Sequence, residues 1–343
     1  MPPFWLPSPL GEGWGGGTAL LINAAALCLA LGIDRLFGEP SPRWHPVVWM
    51  GNYLTRTGFR IAPRSDASTR PRAWPFMAGM LAWCTGAAIF VLLAVSVVVI
   101  AARLPSWAQA IVLALALKPL LAWRMLRDEV LAVEAALGRS LEEGRSQLAR
   151  LVSRDVQALD ETQVRESAIE SLAENLNDSV IAPLFWFLLL GLPGAALYRF
   201  ANTADAMWGY RGARNGRIWE WAGKWAARAD DVLSWLPARL TGLLLCSLSL
   251  SRWRERTGMT VIPALPRQAA LTPSPNSGWP MAAMAMLLNV RLSKPGVYVL
   301  NAEGRDAQPE HTVRAARLGG RAVFGMAVLA SAALLTLAAW HPA

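Results

Sequence analysis

The sequence predicts an all-α, polytopic integral membrane protein with four to six hydrophobic helices and a helical polar region between them. Hydrophobic residues make up 54% of the chain and charged residues 17%. Several apolar runs approach the roughly 20 residues that a helix needs to cross a hydrocarbon core. Lys and Arg concentrate in the segments between these runs, as is typical of membrane proteins.

The apolar runs differ in how strongly they predict a membrane span. The clearest contain no charged residue: Ala73–Ala102, Ser179–Tyr198 and Ala322–Trp340. Three weaker candidates are Thr18–Ile33, Leu104–Trp123, which contains Lys118, and Val232–Ser251, which contains Arg239. A turn near Arg103–Ser106 predicts that the runs Ala73–Ala102 and Leu104–Trp123 form a helical hairpin.

The remaining organisation is predicted to be one membrane domain covering residues 18–343. It contains a polar helical insert at about 124–178, expected to project from the membrane or lie along its surface. A Pro-rich loop at about 252–280 precedes a short helix near Met281–Leu292. Residues 1–17 are rich in Pro and Gly and lack the basic region of a signal peptide, which indicates a flexible leader or a start assigned too far upstream.

The charge distribution raises a question of topology. Asp34–Arg72 has seven basic residues against three acids, and Arg199–Asp231 has six against four, so both segments favour the cytoplasm. A simple crossing by Ser179–Tyr198 would place Arg199–Asp231 on the opposite face from the residues before it. A broken or re-entrant hairpin avoids this, and Pro183, Gly191, Pro193 and Gly194 favour one because they weaken a continuous helix.

Several classes of function are not expected. The net charge of +9 is spread over inter-span segments, so it does not indicate nucleic-acid binding. Cys28, Cys84 and Cys246 all lie within apolar runs, without a Cys/His cluster that would indicate zinc or disulfides. The sequence also lacks a Walker phosphate loop, a Rossmann fingerprint and a nucleophile elbow.

The most distinctive local feature is a four-residue repeat of acids in Glu166–Asp178. Glu166, Glu170, Glu174 and Asp178 would form one stripe on a helix. Like charges at this spacing repel, so the stripe needs arginines, a divalent cation or solvent. A solvated helix face is the simpler interpretation, but the stripe runs directly into an apolar segment, which favours a functional site.

Two further polar clusters follow. Asn202 and Asp205 would share a helical face, and Asp230 and Asp231 stand at the start of an apolar segment. Adjacent aspartates there are costly unless paired or bound to a metal. A helix N-terminus with an acidic first turn is the alternative explanation.

These stretches, in this order, resemble the CobD/CbiB family of adenosylcobinamide-phosphate synthases. The resemblance rests on Asp34–Pro40, His45–Val47, Val152–Asp155, Glu170–Asn175, Ala182–Leu184, Asn202–Asp205, Gly209–Arg211, Ala227–Asp231, Pro237–Arg239 and Ser274–Gly278, and it covers roughly Leu20–Tyr298. It implies a multi-pass protein of the inner cell membrane that forms an amide between adenosylcobyric acid and aminopropanol or aminopropanol phosphate. ATP and Mg²⁺ are the expected co-reactants, and other late cobalamin-pathway enzymes are expected partners beside the lipid bilayer.

The resemblance also implies a set of site residues. The expected catalytic residues are Glu170, Glu174, Asp178, Asp205, Asp230 and Asp231, of which Glu174, Asp178 and Asp231 are candidate metal ligands. The expected substrate-binding residues are Arg154, Asn175, Asn202, Arg211, Arg228, Arg239 and Asn276. The arginines would face phosphate or carboxylate groups, and Asp230 and Asp231 would supply a second metal position or a base for the ammonium group.

The chain departs from the family pattern in one region. Thr272 stands where a His is usual, Met281 where a Glu is usual, and Ser293-Lys294 replaces a Gly-rich pair before the late tyrosine. These changes motivate an alternative: a non-catalytic, corrinoid-binding membrane relative. A membrane transporter is a further alternative, which predicts charges deep within the spans rather than between them.

Overall fold

The computed structural model describes residues 16–65, 72–247 and 258–340. The helices there are α1 (Gly16–Phe37), α2 (Pro46–Ile61), α3 (Ala73–Ala101), α4 (Ser106–Leu117), α5 (Trp123–Leu137), α6 (Leu141–Leu148), α7 (Glu161–Leu176), α8 (Ala182–Trp208), α9 (Lys224–Leu233), α10 (Trp235–Ser247), α11 (Gly258–Ala269), α12 (Gly278–Leu288) and α13 (Pro309–Trp340). Two antiparallel hairpins complete the list: β1 (Ala213–Arg214) with β2 (Arg217–Ile218), and β3 (Leu292–Lys294) with β4 (Tyr298–Leu300).

Five helical stretches within the described residues are long and apolar enough to cross a membrane, which confirms the predicted fold class. They are Gly16–Phe37, Ala73–Ala101, Ser106–Leu137, Glu161–Trp208 and Pro309–Trp340. Val232–Ser251 is not among them. The helix is interrupted at Ser234, between α9 and α10. The helix α10 has 13 residues, which extend only about 20 Å. Residues 248–251 lie outside the described part.

The chain divides into two compact units that are interleaved along the sequence. Unit 1 comprises the described parts of Met1–Leu121, Ala182–Leu233 and Leu329–Ala343, and unit 2 comprises Ala122–Ile181 and the described parts of Ser234–Val328. The single membrane domain over 18–343 therefore stays a prediction. The proposed leader lies outside the described residues, except for its last two positions, which begin α1.

In unit 1 the predicted helical hairpin is present, with α3 and α4 joined by residues 102–105. Near the start of α1, Leu20 and Ala24 pack against Leu334 and Ala338 of α13. Small residues allow close approach elsewhere: a Cβ atom added at Gly79 of α3 would lie 1.9 Å from the carbonyl oxygen of Ala222. These contacts fix α3 against the segment that follows the β1–β2 hairpin.

The helix α8 is broken at Gly191, as the glycines and prolines predict. Gly191 has φ 64° and ψ −157°, a backbone conformation that is essentially restricted to glycine. A Cβ atom at Gly194 would lie 2.4 Å from the carbonyl oxygen of Trp186, whereas eight residues of straight helix rise about 12 Å. The chain therefore folds back on itself within α8, in the manner of a re-entrant hairpin.

A buried ionic group joins the ends of α1 and α4 in unit 1. Lys118 Nζ lies 2.9 Å from Glu39 Oε2 and 3.5 Å from Asp34 Oδ1, and the side chains of Lys118 and Asp34 are almost fully buried. His45 Nδ1 accepts a hydrogen bond from the Val47 amide, so Nε2 donates to Glu39 at 3.1 Å. Burial alone would raise the pKa of Glu39, but the bonds to His45 and Lys118 outweigh it and lower that pKa.

Unit 2 corrects one prediction and leaves another open. The insert at about 124–178 is largely helical as expected, and every residue from Val164 to Ala173 of α7 is buried within the protein; the position of the insert relative to the membrane stays a prediction. Much of the predicted Pro-rich loop is the helix α11, which contains Pro263 and Pro266. It forms because its apolar residues Val261 and Leu265 are buried, and α11 packs against α10 and α12, which offsets the hydrogen bonds lost at proline.

Gly79→Ala tests the close packing of unit 1. The added methyl group meets a backbone carbonyl that has little room to move, so we expect a loss of about 1–3 kcal/mol of stability. Gly32→Ala is the matched control, since nothing lies within 4 Å of a Cβ atom there and alanine favours a helix. Thermal unfolding in detergent measures both; an equal effect of the two changes would contradict this packing.

Candidate active site

The predicted site residues fall into the two units. Unit 2 contains Arg154, Glu170, Glu174, Asn175, Asp178, Arg239 and Asn276, and unit 1 contains Asn202, Asp205, Arg211, Arg228, Asp230 and Asp231.

The helix α7 carries the carboxylates of unit 2 and has a well-defined start. Asp160 Oδ1 accepts from the Gln163 amide at 2.8 Å, and Gln163 Oε1 accepts from the Asp160 amide at 3.0 Å, which completes a capping box. Glu166 is 1% exposed and Glu170 is 7% exposed. The solvated-face interpretation is thus wrong for these two acids.

Glu170 lies in a network of donors. Tyr298 donates its hydroxyl hydrogen to Glu170 Oε1 at 2.7 Å, and Arg154 NH2 lies 3.6 Å from Glu170 Oε2. The same Arg154 nitrogen donates to Ser167 Oγ at 2.6 Å. Such partners are what a buried carboxylate requires, because an unpaired one is very costly.

Arg154 retains hydrogen-bonding capacity that the protein does not use. Its Nε and NH1 atoms are buried and have no hydrogen-bond partner within the described residues. Buried donors of this kind are rare because each costs free energy. They mark a position where an oxygen-rich group can bind.

Tyr298 is held in its protonated form. Burial is the main cause of its strongly raised pKa, and the negative charges of Glu170 and Glu174 add to it. The phenol is therefore a hydrogen-bond donor throughout the physiological pH range. Met281, buried to 2% exposure, places its sulfur 3.9 Å from this hydroxyl.

Glu166 is covered by the strand β3. The Ser293 amide donates to Glu166 Oε2 at 3.0 Å, the Ser293 hydroxyl bonds to the same oxygen, and Arg291 Nε lies 3.8 Å from Oε1. Sequence reasoning did not include Tyr298, Ser293 or Arg291 in the site. Two signals existed: the acidic stripe needed counter-charges from elsewhere, and the family pattern had marked Ser293 and the late tyrosine as a region where this chain departs from its relatives.

The regular α-helix that carries the acidic stripe ends before Asp178. A π-helical turn spans Asn177–Ile181, so Asp178 does not continue the regular four-residue repeat, which is a correction. Asn177 donates to Asp178 Oδ1 at 2.8 Å and accepts from Thr241 at 3.1 Å. Single π-turns within helices are frequent at functional sites.

Glu174, Asn175 and Asp178 are partly exposed. Asn175 donates to the Ser171 carbonyl oxygen at 3.0 Å, within its own helix. No group of three or more His, Cys, Asp or Glu side chains in the described ranges is arranged to hold a metal. A Mg²⁺ ion that also binds phosphate needs only one or two carboxylates, and the partly exposed Glu174 and Asp178 supply that number.

Arg239 lies between two indole rings. Its guanidinium carbon is 4.1 Å from the centre of the Trp235 ring and 4.8 Å from that of Trp279, and NH1 donates to Asn276 Oδ1 at 3.3 Å. Burial lowers the pKa of Arg239. The turn that carries Asn276 is supported by Thr272, whose hydroxyl lies 3.1 Å from the Ala269 carbonyl oxygen and 3.0 Å from that of Ser274.

In unit 1 several of the predicted polar residues contact one another in pairs. Asn202 donates to Asp230 Oδ1 at 3.5 Å, and Arg228 NH1 lies 4.0 Å from Asp231 Oδ2. Burial raises the pKa of Asp231, and Arg228 and Arg211 partly oppose this shift. Asp205 has its carboxylate against Gly209, where a Cβ atom would lie 1.9 Å from Oδ1.

Tyr298→Phe tests the network around Glu170. Removal of the hydroxyl leaves the buried carboxylate without this donor, so we expect a loss of about 1–3 kcal/mol of stability. Tyr210→Phe is the matched control, because that hydroxyl donates only to the Ala206 carbonyl oxygen, at an exposed position. Thermal unfolding of the two purified variants makes the comparison, and similar losses would argue against a buried network.

Comparison with known proteins identifies the family. The family model for the CobD/Cbib protein matches residues 27–323. A "Probable cobalamin biosynthesis protein CobD" of Methanothermobacter thermautotrophicus is 41% identical over 81% of this chain and 86% of its own length. The "Cobalamin biosynthesis protein CobD" of Chromobacterium violaceum is 39% identical over 93% and 99%, and that of Rhodobacter capsulatus 35% identical over 89% and 96%. No solved structure matches significantly. The chain therefore belongs to the CobD/CbiB family.

Proposed function

We propose that this chain acts in cobalamin biosynthesis as an adenosylcobinamide-phosphate synthase. It would join aminopropanol, or aminopropanol phosphate, to a propionate carboxyl group of adenosylcobyric acid in an ATP- and Mg²⁺-dependent reaction. Family membership and the names of the relatives support the pathway. The five candidate spans support a multi-pass protein, which we place in the inner cell membrane.

The observation that carries the proposal is the environment of Arg154. Two of its nitrogens are buried without a hydrogen-bond partner, while a third lies beside Glu170. Arginine suits phosphate and carboxylate because its planar group donates two parallel hydrogen bonds. Arg154 would thus orient an anionic part of a substrate through donors that the protein leaves unused.

Amide formation in water requires an activated carboxyl group, usually an acyl phosphate, and a deprotonated amine. Mg²⁺, when bound, offsets the negative charge of the phosphates. Glu174 and Asp178 would hold it together with phosphate oxygens. Arg239, fixed between Trp235 and Trp279, would face a phosphate or carboxylate group.

Unit 1 supplies candidates for handling the amine. Asp231 is suited to accept a proton from the substrate ammonium group, since its raised pKa makes it a stronger base than an ordinary aspartate. A base must be ionised to act, so activity should fall as the pH is lowered through this raised pKa. Asp205, Asp230 and Asn202 would position the amine, and Arg211 and Arg228 would face negatively charged groups.

The buried Met281 favours a second candidate function. At this position the family resemblance implies a glutamate, and here a thioether lies against Tyr298. A non-catalytic relative would bind adenosylcobyric acid without converting it. Complementation of a strain that lacks the synthase, followed by corrinoid product analysis, separates the two functions: accumulation of the amide product supports the enzyme.

Glu174→Gln and Asp231→Asn test the assignment of roles. Asp231→Asn should lower kcat/KM for amide formation by about 100-fold or more, the range typical of a lost general acid–base group. Glu174→Gln should lower kcat/KM by weakening the hold on Mg²⁺, which offsets the negative charge of the phosphates. Asp231→Asn should also remove the fall in activity at low pH that the raised pKa of Asp231 causes. The measurement is product formation from adenosylcobyric acid across a pH series.

Glu142→Gln is the control for these variants, because Glu142 is largely exposed on α6 and its nearest cation, Arg145, is 3.9 Å away. It should retain normal turnover. Near-normal turnover in both Glu174→Gln and Asp231→Asn would refute the proposed roles.

A further inference from the structure

A second feature of unit 1 is a basic surface that the proposed reaction does not use. It consists of Arg60, Arg64, Arg72, Arg214, Arg217 and Lys224. Within the described stretches 56–65 and 209–224 the single carboxylate is Glu220. None of the six cations forms an ion pair with a carboxylate of the described chain.

The backbone forces several of these arginines together. Pro63 and Ser65 pair with the β1–β2 hairpin: the Ile218 amide donates to the Pro63 carbonyl oxygen at 2.8 Å, and the Ser65 amide donates to that of Gly216 at 3.0 Å. The backbone of Arg64 forms an isolated antiparallel β-bridge with that of Arg217. Arg217 is also the cross-strand partner of Arg214 in the β1–β2 hairpin. Like charges directly opposite each other in a sheet repel, so this arrangement favours a bound anion.

Aromatic rings hold the cations in place without neutralising them. The Arg214 guanidinium carbon lies 3.6 Å from the centre of the Tyr210 ring, and that of Arg217 lies 5.5 Å from the Phe59 ring. Lys224 Nζ and the Arg72 guanidinium carbon both lie over the Trp221 ring, 4.0 and 5.6 Å from its centre. Cation–π contacts of this kind orient a cation and leave its charge available.

The surface lies where membrane spans end. Arg72 directly precedes α3, and the segment with β1 and β2 directly follows α8. Phe59 is 59% exposed and Trp74 67% exposed, and exposed aromatic side chains beside a span are typical of the membrane–water interface. A surface at this level faces lipid headgroups.

The topology agrees with a cytoplasmic position. Since residues 63–65 pair with 216–218, the basic segment before α3 and the basic segment after α8 occupy one face, which the fold-back at Gly191 permits. The opposite turn, residues 102–105, contains Arg103 as its single basic residue, so the charge bias assigns the basic surface to the cytoplasm.

We propose that this basic surface binds the headgroups of anionic phospholipids in the cytoplasmic leaflet. Each Lys or Arg close to such a leaflet adds to the attraction. The surface would anchor the ends of α3 and α8 at the lipid interface. This inference is independent of the proposed enzymatic reaction.

The test is lipid binding by the full-length protein in a non-ionic detergent. Phosphatidylglycerol and phosphatidylcholine are titrated separately, and lipid adducts are counted by native mass spectrometry. We expect the wild-type protein to prefer phosphatidylglycerol, and the preference to weaken as salt is raised. Arg60→Gln/Arg64→Gln should reduce phosphatidylglycerol affinity by roughly tenfold or more.

Arg139→Gln/Arg150→Gln is the matched control, since it also removes two positive charges from exposed positions, where each arginine is paired with a glutamate. It should leave the preference unchanged. Equal binding of the two lipids by the wild-type protein, or equal losses in the two double variants, overturns the proposal. Inorganic phosphate that competes as well as phosphatidylglycerol would also overturn it, because the surface would then bind a free anion.

Discussion

The burial of ionised groups is the constraint on which this structure depends. Moving a carboxylate from water into a protein interior costs several kcal/mol unless a partner compensates for it. The helix α7 carries Glu166 and Glu170 into the core of unit 2. These acids require hydrogen-bond donors, and the β3–β4 hairpin supplies the Ser293 amide and hydroxyl and the Tyr298 hydroxyl. These hydrogen bonds hold the hairpin in place. Two short strands alone would be marginally stable.

Unit 1 meets the same constraint with a lysine. Lys118 interrupts an otherwise apolar run, and its ammonium group forms ion pairs with carboxylates from the end of α1 and from the segment before α2. The interaction is directional and specific, unlike the contacts between leucine and alanine side chains around it. It therefore sets the level at which α4 ends relative to α1. His45 extends the group, and its bond to the Val47 amide at the start of α2 determines which ring nitrogen donates.

The sequence predicted the features that depend on local physics. Long apolar runs identify membrane helices because the bilayer imposes length and composition, and Gly191 marked a break because few other residues adopt its backbone conformation. The turn at Asn215 and Gly216, both with positive φ, follows the same local rule for Asn-Gly pairs, although it was not among the predictions.

The parts of the site that were missed depend on distance along the chain. Tyr298 is 128 residues from Glu170, and Ser293 is 127 from Glu166. No periodicity or spacing links such pairs, although the acidic stripe indicated that partners had to exist. The helix α11 was missed for a related reason, because its prolines indicate a loop locally while packing against α10 and α12 stabilises a helix.

The change at Met281 takes on a different meaning in this setting. From sequence, loss of a family glutamate suggested loss of activity. In the folded chain, Met281 is buried, and its sulfur lies 3.9 Å from the Tyr298 hydroxyl, which donates to Glu170. A carboxylate at this buried position would need a partner of its own, because an unpaired buried charge is very costly. Arg154 lies beside Glu170 and retains its unused donors with methionine at position 281, so the departure is compatible with substrate binding.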